Sequence, residues 1–253
     1  MGRSLQGKWA LVSGSTRGLG RSIAEALAEE GASIGVSGRD ADAVQLSVDA
    51  IKQIGVGSIG IAADLALVAD AHRLAAETLA AVPQLDILIN NAGMSIRSNF
   101  WEVTDDEWDT QVNVNYRSPF IIAQYAAKHM IKHGVLGRIV NLSTIGARAC
   151  HTNAAVYNSA KGAVETMTRN MAYELGSHGI TVNCVVPGVI AERPGTEPAE
   201  WWDKARKRIP VGRVGRSQDV AAAALFFCLP GSDFITGQSL LVDGGHDTYL
   251  PEF

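Results

Sequence analysis

Hydrophobic positions along the chain follow two periodicities that alternate from one end to the other. Short runs rich in valine and isoleucine are each followed by a longer segment whose apolar residues recur every three or four positions. Few charges interrupt the short runs, as is typical of parallel strands that are covered on both faces. The runs predict seven strands, at Lys8–Ser13, Ser33–Ser37, Ser58–Ala62, Asp86–Asn90, Arg138–Ser143, Thr181–Val186 and Ser239–Val242.

Segments with helical periodicity lie between these strands. Strands that alternate with helices are the signature of βαβ units and a parallel sheet. The predicted fold is therefore an α/β, Rossmann-type, doubly wound parallel sheet with helices on both faces. A length of 253 residues suits one such domain, spanning 1–253. The predicted helices are Arg21–Glu30, Ala41–Ile54, Val68–Val82, Thr104–His133, Asn153–Ser177 and Ser217–Leu229.

One segment, residues 188–215, breaks the alternation of strands and helices. It contains three prolines and the pair Trp201 and Trp202. Long irregular insertions in compact domains commonly form lids or binding loops. We therefore expect a substrate loop here, with Trp201 closing a pocket. Packing of the two tryptophans in the core is an equal alternative.

Composition and charge exclude several classes of protein. Hydrophobic residues make up 47% of the chain and charged residues 19%, which indicates a globular domain. The net charge of −4, with scattered lysines and arginines, provides no basic field for nucleic acid. The longest apolar run covers only about half a membrane span. The three cysteines have no metal-ligand spacing. We expect a cytoplasmic protein with reduced thiols and with no metal, nucleic-acid or membrane partner.

A turn with three glycines directly follows the first strand and precedes a helix. Glycines in this position permit a tight turn, and they let the N–H groups at the start of the helix meet a pyrophosphate. The position decides the interpretation, because the chain has 26 glycines. The turn predicts dinucleotide binding by Gly14, Ser15, Thr16, Arg17, Gly18, Leu19 and Gly20.

The end of the second strand indicates which nicotinamide cofactor is bound. An acidic residue at this point favours the free 2′-hydroxyl of the adenosine ribose, whereas a basic residue favours the 2′-phosphate. The sequence has Arg39 there, and Arg17 can supply a second positive charge. NADP(H) is therefore preferred. The nearby Asp40 and Asp42 keep NAD(H) possible, and Arg39 as a solvated turn residue is the alternative.

Three further patterns carry candidate chemistry. Tyr157 and Lys161 are four residues apart in a predicted helix, so both side chains can reach one ligand. The turn Asn90–Gly93 follows the fourth strand, at the edge where α/β sheets bind their ligands, although it can also be only a tight turn. Asn113 and Asn115 lie in an otherwise apolar stretch, where a buried amide needs hydrogen-bond partners.

Together these motifs resemble the short-chain dehydrogenase/reductase family, and they occur in the order found there. The resemblance covers essentially the whole chain. The motifs that carry it are Gly14-x-x-x-Gly18-x-Gly20, Asn90-Asn91-Ala92-Gly93, Asn115, Ser143/Thr144, Tyr157-x-x-x-Lys161, Pro187-Gly188 and the final stretch from Thr236 to Gly245.

The resemblance implies an oxidoreductase that moves a hydride between an alcohol or carbonyl carbon and a nicotinamide cofactor. Tyr157 would be the acid/base, Lys161 would lower its pKa, and Asn115 would join a water relay. The family's serine lies thirteen residues before the tyrosine, which selects Thr144 and leaves Ser143 as the alternative. The further cofactor residues implied are Asp64, Leu65, Asn91, Ala92, Gly93, Pro187, Gly188 and Ile190, with a helix-capping role as the alternative for Asp64.

The substrate is the least specified feature. Polar residues in segments that flank the predicted site favour a small polar molecule, such as a sugar or an anionic sugar derivative. A reductase of β-ketoacyl groups on a carrier protein is the alternative enzyme, and a non-catalytic NADP(H) sensor is the alternative class. The resemblance also implies a homotetramer or homodimer. The candidate substrate residues are Arg97, Arg148, His151, Asn153 and Arg193, together with Ser143 and Trp201.

Overall fold

The computed structural model describes residues 3–191 and 199–248. Seven parallel strands form one sheet in the order β3-β2-β1-β4-β5-β6-β7. The order reverses between β1 and β4, so a crevice for a ligand opens where these two strands end. The strands are Trp9–Val12 (β1), Ser33–Gly38 (β2), Ser58–Ala62 (β3), Ile87–Asn90 (β4), Arg138–Leu142 (β5), Thr181–Pro187 (β6) and Ser239–Val242 (β7).

Helices cover both faces of the sheet, which confirms the predicted Rossmann-type fold. One core packs α1 and α8 against the sheet through Ile23 and Phe227. The opposite core packs α3 and α5 through Leu74 and Ile122. None of the described helices has both the length and the apolar character needed to cross a membrane. The helices are Gly18–Glu29 (α1), Ala41–Gln53 (α2), Val68–Ala81 (α3), Asp105–Val112 (α4), Ser118–His133 (α5), Ala155–Leu175 (α6), Ala199–Arg208 (α7) and Ser217–Cys228 (α8).

The predicted continuous helix Thr104–His133 is wrong in its middle. A π-helical turn at Asn113–Arg117 separates α4 from α5. Pro119 explains the break, because it has no N–H to donate to the carbonyl of Asn115, four residues earlier. Widened turns of this kind occur frequently at functional sites.

The expectation of an irregular segment at 188–215 is also corrected in part. Residues Ala199–Arg208 form α7, and Ile209 directly after it is buried. The two ends of the segment meet, since the N–H of Gly215 donates to Val189 O and the N–H of Ala191 donates to Gly215 O. The two ends of this segment are thus hydrogen-bonded to each other.

Candidate active site

The glycine turn after β1 and the polar turn after β4 form one unit at the reversal of strand order. Ser13 is buried between them, and its Oγ accepts hydrogen bonds from the N–H groups of Asn91 (3.0 Å) and Ala92 (3.1 Å). The side-chain amide of Asn91 donates in turn to the carbonyls of Ser13 and Gly14. Two motifs that are more than 70 residues apart in the chain are therefore locked together.

Two of the glycines in this turn leave no room for a side chain, and one of them also has a positive φ. Gly14 has φ +64°, and a Cβ atom built on it would lie 3.0 Å from Ala92 Cα. A Cβ on Gly20 would lie 2.3 Å from both Gly14 O and Asn91 Nδ2. Helix α1 starts at Gly18, and no side chain within the described ranges caps it. Its first N–H groups are therefore available to an anion, which fits the pyrophosphate of a dinucleotide.

Ser15 and Thr16 act within the protein in this arrangement. The Ser15 N–H donates to Ser37 O (2.8 Å), and its hydroxyl donates to Val12 O (2.7 Å). Thr16 packs so tightly against β2 that a Cβ on Gly38 would lie 2.6 Å from Thr16 Cγ2. Both residues therefore fix the end of β2 beside the glycine turn.

Arg39 follows β2 directly and is exposed, as is Arg17 in the glycine turn. The acidic residue after Arg39 has a structural role: Asp40 Oδ1 accepts from the N–H groups of Asp42 (2.9 Å) and Ala43 (3.2 Å) and so caps α2. This capping role explains the presence of Asp40 without any contact to the ribose of a cofactor. The surface after β2 therefore exposes the Arg39 guanidinium beside the carboxylates of Asp40 and Asp42.

Asp64 and Leu65 lie shortly after β3, the strand that pairs with β2. Asp64 is half-buried, and its Oδ1 accepts from the N–H of Ala66 (3.1 Å), which closes a turn. Leu65 is buried, and its carbonyl accepts from Ser118 Oγ. Asp64 does not cap the following helix, because the N-cap residue of α3 is Leu67 and Leu67 makes no side-chain cap hydrogen bond. The role of Asp64 beside an adenine stays a prediction.

Lys161 lies at the centre of the candidate site and is only 3% exposed. Its Nζ donates to Leu142 O at the end of β5 (2.8 Å). A Cβ on Gly93 would lie 3.4 Å from this Nζ and 3.2 Å from Asn115 Oδ1, so three predicted site residues meet here. Burial of the ammonium lowers the pKa of Lys161 to about 8.

Asn115 is fully buried in the π-helical turn. Its Oδ1 accepts from the N–H of Met94 (3.1 Å), and its Nδ2 donates to the carbonyls of Met94 and Gln111 (2.8 Å each). The side chain therefore holds the segment after β4 against α4. Because the amide is used in this way, any relay role falls to the Asn115 carbonyl, which Pro119 deprives of its usual helical donor.

Tyr157 lies one helical turn before Lys161 on α6 and is half-buried. Two hydroxyl side chains precede it at the end of β5. Ser143 is buried, with Oγ 3.1 Å from Lys161 O and 3.0 Å from Glu165 Oε1. Thr144 is half-buried, and its Oγ1 accepts from the N–H of Gly146 (3.3 Å). Thr144 thus keeps its hydroxyl hydrogen for another acceptor, whereas Ser143 points into the interior.

Two loops with candidate substrate residues are pinned to each other beside the site. Arg97 Nη1 donates to Thr152 O (2.8 Å), and the N–H of Ser98 donates to Asn153 O (3.1 Å). Asn153 has φ +58°, the left-handed region that asparagine tolerates better than most residues. His151 is exposed on the same loop. The three candidates Arg97, His151 and Asn153 on these loops therefore occupy one surface.

The remaining candidates differ in their surroundings. Arg148 Nη2 lies 3.0 Å from Glu165 Oε2, so its charge is already paired. Trp201 is exposed on α7, with its ring 4.7 Å from that of Trp202, edge to face. Arg193 lies outside the described residues. Trp201 therefore lies at the surface rather than in the core.

The turn after β6 completes the edge of the crevice. Pro187 ends β6, and the N–H of Gly188 donates to Val242 O (3.0 Å). A Cβ on Gly188 would lie 2.6 Å from Asp243 Cβ, so only glycine fits. Ile190 is half-buried and pairs with Gly215. These contacts join the turn after β6 to the last strand and, through Ile190, to Gly215.

Sequence reasoning missed two buried residues that organise the site, Ser13 and Glu165. Ser13 directly precedes the first glycine, where a small hydroxyl residue is a usable signal. Glu165 lies four residues after Lys161 on α6, and a carboxylate among apolar helix positions is the signal that could have found it. The nearby Cys184 thiol is buried as well, and burial raises its pKa to about 12, so it stays protonated.

Comparison with known proteins agrees with this architecture. The family model described as enoyl-(acyl carrier protein) reductase matches residues 14–247. The chain belongs to the short-chain dehydrogenase/reductase family. This membership confirms the resemblance inferred from the motifs, and it supports a nicotinamide-dependent oxidoreductase.

Among relatives in this family, gluconate 5-dehydrogenase of Gluconobacter oxydans is 35% identical over 96% of this chain and 95% of its own. The (2S)-[(R)-hydroxy(phenyl)methyl]succinyl-CoA dehydrogenase subunit of Thauera aromatica is also 35% identical, over 97% and 98%. The crystal structure of a gluconate 5-dehydrogenase from Burkholderia cenocepacia, in complex with NADP and tartrate, superposes with a TM-score of 0.90 at 33% identity, covering 97% of each chain.

Proposed function

We propose that this protein is an NADP(H)-dependent oxidoreductase that interconverts an alcohol and a carbonyl, with Tyr157 as the acid/base. The observation that carries the proposal is Lys161. Its ammonium is buried beside Gly93 and Asn115, and within residues 3–191 and 199–248 it has no carboxylate partner. A buried, unpaired charge is unfavourable for folding, and such groups concentrate at functional sites.

The roles of the side chains follow from their positions. A positive charge one helical turn from Tyr157 favours the ionised phenol, so the Oη can accept a proton from an alcohol or return one to a carbonyl oxygen. The Thr144 hydroxyl keeps a hydrogen to donate to the substrate oxygen. Gly14–Gly20, Asn91–Gly93 and Pro187–Ile190 would hold the nicotinamide cofactor, which supplies or accepts the hydride when bound.

The preference for NADP(H) rests on the surface after β2. Arg39 is exposed there, and the neighbouring Asp40 is occupied as a helix cap. A guanidinium can form paired hydrogen bonds with a 2′-phosphate. The Asp40 carboxylate, by contrast, is held at the start of α2 by its hydrogen bonds to the backbone. The Burkholderia relative whose structure contains NADP supports the same assignment.

The substrate we propose is a small polar hydroxy compound, such as a sugar or sugar acid. Arg97, His151 and Asn153 share one polar surface beside the site, and their loops are pinned together. Gluconate 5-dehydrogenases are among the relatives. A β-ketoacyl reductase acting on a carrier protein is the second candidate, since α7 exposes Lys204, Lys207 and Arg208 and the matching family model is described by a carrier-protein substrate.

We also propose that the protein assembles as a homodimer or homotetramer in the cytoplasm. A groove of about 590 Å³ runs between α5 and α6, and it is lined by apolar residues that include Phe120, Ile131 and Met167. Such a face is suited to a second copy of the same chain. The three cysteines are all free thiols, as suits a reducing compartment.

Fluorescence titration with NADPH and NADH tests the cofactor assignment. We expect tighter binding of NADPH, and we expect Arg39→Asp to weaken it at least tenfold, because the variant replaces an attractive charge with a repulsive one. Arg3→Asp, an exposed arginine elsewhere, is the matched control. Equal binding of NADPH by both variants would show that Arg39 does not contact the phosphate.

A dehydrogenase screen with sugars, sugar acids, polyols, ketones and a β-ketoacyl carrier protein tests the reaction. We expect turnover on a sugar or sugar acid, and a loss of at least about a hundredfold in kcat for Tyr157→Phe. Tyr173→Phe is the control, because Tyr173 lies on the same helix and is 90% exposed. Equal activity of Tyr157→Phe and the parent protein would refute the role of Tyr157. Turnover on the carrier protein alone would select the second candidate.

A further inference from the structure

Glu165 is a buried carboxylate that the proposed chemistry does not use. It lies on α6, one turn after Lys161, and is 8% exposed. Its Oε1 accepts from Ser143 Oγ (3.0 Å), and its Oε2 accepts from Arg148 Nη2 (3.0 Å). One carboxylate therefore binds two residues that lie on either side of the short segment 144–147.

The segment between these two contacts carries Thr144. Residues Ile145–Ala147 form a single 3₁₀ turn, which the Thr144 hydroxyl caps by accepting from the N–H of Gly146. The segment is anchored at its start by β5 and Ser143 and at its end by Arg148. Without the carboxylate, the end at Arg148 would lose its ion pair with α6, and the direction of the Thr144 side chain would no longer be fixed.

The same contacts reach Lys161. Ser143 Oγ lies 3.1 Å from the carbonyl of Lys161, and the residue before Ser143 is Leu142, whose carbonyl receives the Lys161 ammonium. A buried carboxylate is unfavourable unless it is paired and hydrogen-bonded, and both conditions are met here. The ion pair of Glu165 and Arg148, which we call the clamp, thus lies directly behind the Thr144 hydroxyl and the Lys161 ammonium.

We propose that Glu165 is a positioning residue, which acts through Ser143 and Arg148 to hold the Thr144 hydroxyl toward the substrate oxygen. The inference rests on the proposed function, since it requires Thr144 to contact the substrate. It assigns Arg148 to this clamp rather than to substrate binding. Displacement of a reacting group by about 1 Å can reduce a rate by roughly a hundredfold, so loss of the clamp affects turnover more than cofactor binding.

A double-mutant cycle tests the proposal, using Glu165→Gln, Thr144→Val and the double variant. Glu165→Gln retains the size of the side chain and removes its charge. We expect it to lower kcat by about 10- to 100-fold while the Kd for NADPH changes less than about threefold. In the Thr144→Val background we expect the same substitution to lower kcat less than about threefold, because residues that act as a unit are not additive. Glu77→Gln, an exposed partner of Arg73, is the matched control.

The outcomes separate this inference from the proposed function. An equal loss of kcat from Glu165→Gln in both backgrounds, or no loss beyond the control, overturns the inference alone. A Thr144→Val protein as active as the parent overturns the role of Thr144 and, with it, the inference. Should Glu165→Gln fail to fold, Arg148→Met removes the same clamp from its more exposed end, and the same cycle with Thr144→Val applies.

Discussion

Lys161 should make the protein less stable than a variant that lacks its charge, although the proposed activity requires it. The ammonium is fully buried, and burial lowers its pKa from 10.5 to about 8. The difference between the two pKa values corresponds to about 3 kcal/mol of unfavourable free energy at neutral pH. Replacing lysine by methionine removes this penalty and leaves the Leu142 carbonyl without its donor, which costs about 1 kcal/mol. We expect Lys161→Met to be more stable by about 2 kcal/mol at pH 7.

The difference in stability between Lys161→Met and the parent protein should depend on pH. The unfolded lysine keeps its proton up to its ordinary pKa, whereas the folded lysine releases it near pH 8. Between pH 8 and 10.5 the unfolded chain binds more protons, so the parent protein gains stability as pH rises through this range. The advantage of Lys161→Met is therefore full below pH 8 and disappears toward pH 10.5.

Urea unfolding of the cofactor-free protein at pH 7 and at pH 10 measures both effects, with activity recorded in parallel. A gain of about 2 kcal/mol corresponds to a rise in Tm of roughly 4–8 °C for a chain of this size. Lys52→Met, at an exposed position of α2, should leave stability within about 0.5 kcal/mol of the parent. A Lys161→Met variant that is less stable at pH 7, or a difference that is the same at both pH values, would refute the reasoning.

Three further expectations follow from the geometry. Gly20→Ala places a Cβ 2.3 Å from Gly14 O, so NADPH binding should weaken at least about a hundredfold in fluorescence titration. A Cβ on Gly162 has nothing within 4 Å, so the control variant Gly162→Ala should raise the free energy of unfolding by about 0.5–1 kcal/mol. Thr144→Ser should retain most of the kcat and Thr144→Val should lose it, and equal rates for both variants would remove the hydroxyl from the reaction. Phe120→Asp, at an exposed position in the groove between α5 and α6, should shift the sedimentation coefficient toward that of a monomer; an unchanged value would place the interface elsewhere.

The order of elements and the family could be predicted because they depend on local patterns. Strand and helix periodicities located all seven strands within one or two residues, and the spacing of Gly14, Gly18 and Gly20 located the turn between β1 and α1. The capping box that Thr104 and Glu107 form at the start of α4 is local in the same way, since it depends on only four consecutive residues.

The sequence by itself therefore determined the fold class, the family and the helix face that carries Tyr157 and Lys161, because each of these is encoded by neighbours along the chain. Only the tertiary structure showed that Ser143 is buried against Glu165, whereas Thr144 is half-buried. It also showed that Asp40 caps a helix and that Glu165 clamps the turn behind the site. The physical reason is that hydrogen bonds and burial at these positions join strands and helices that are distant in sequence, so each side chain's partners exist only after the sheet has assembled.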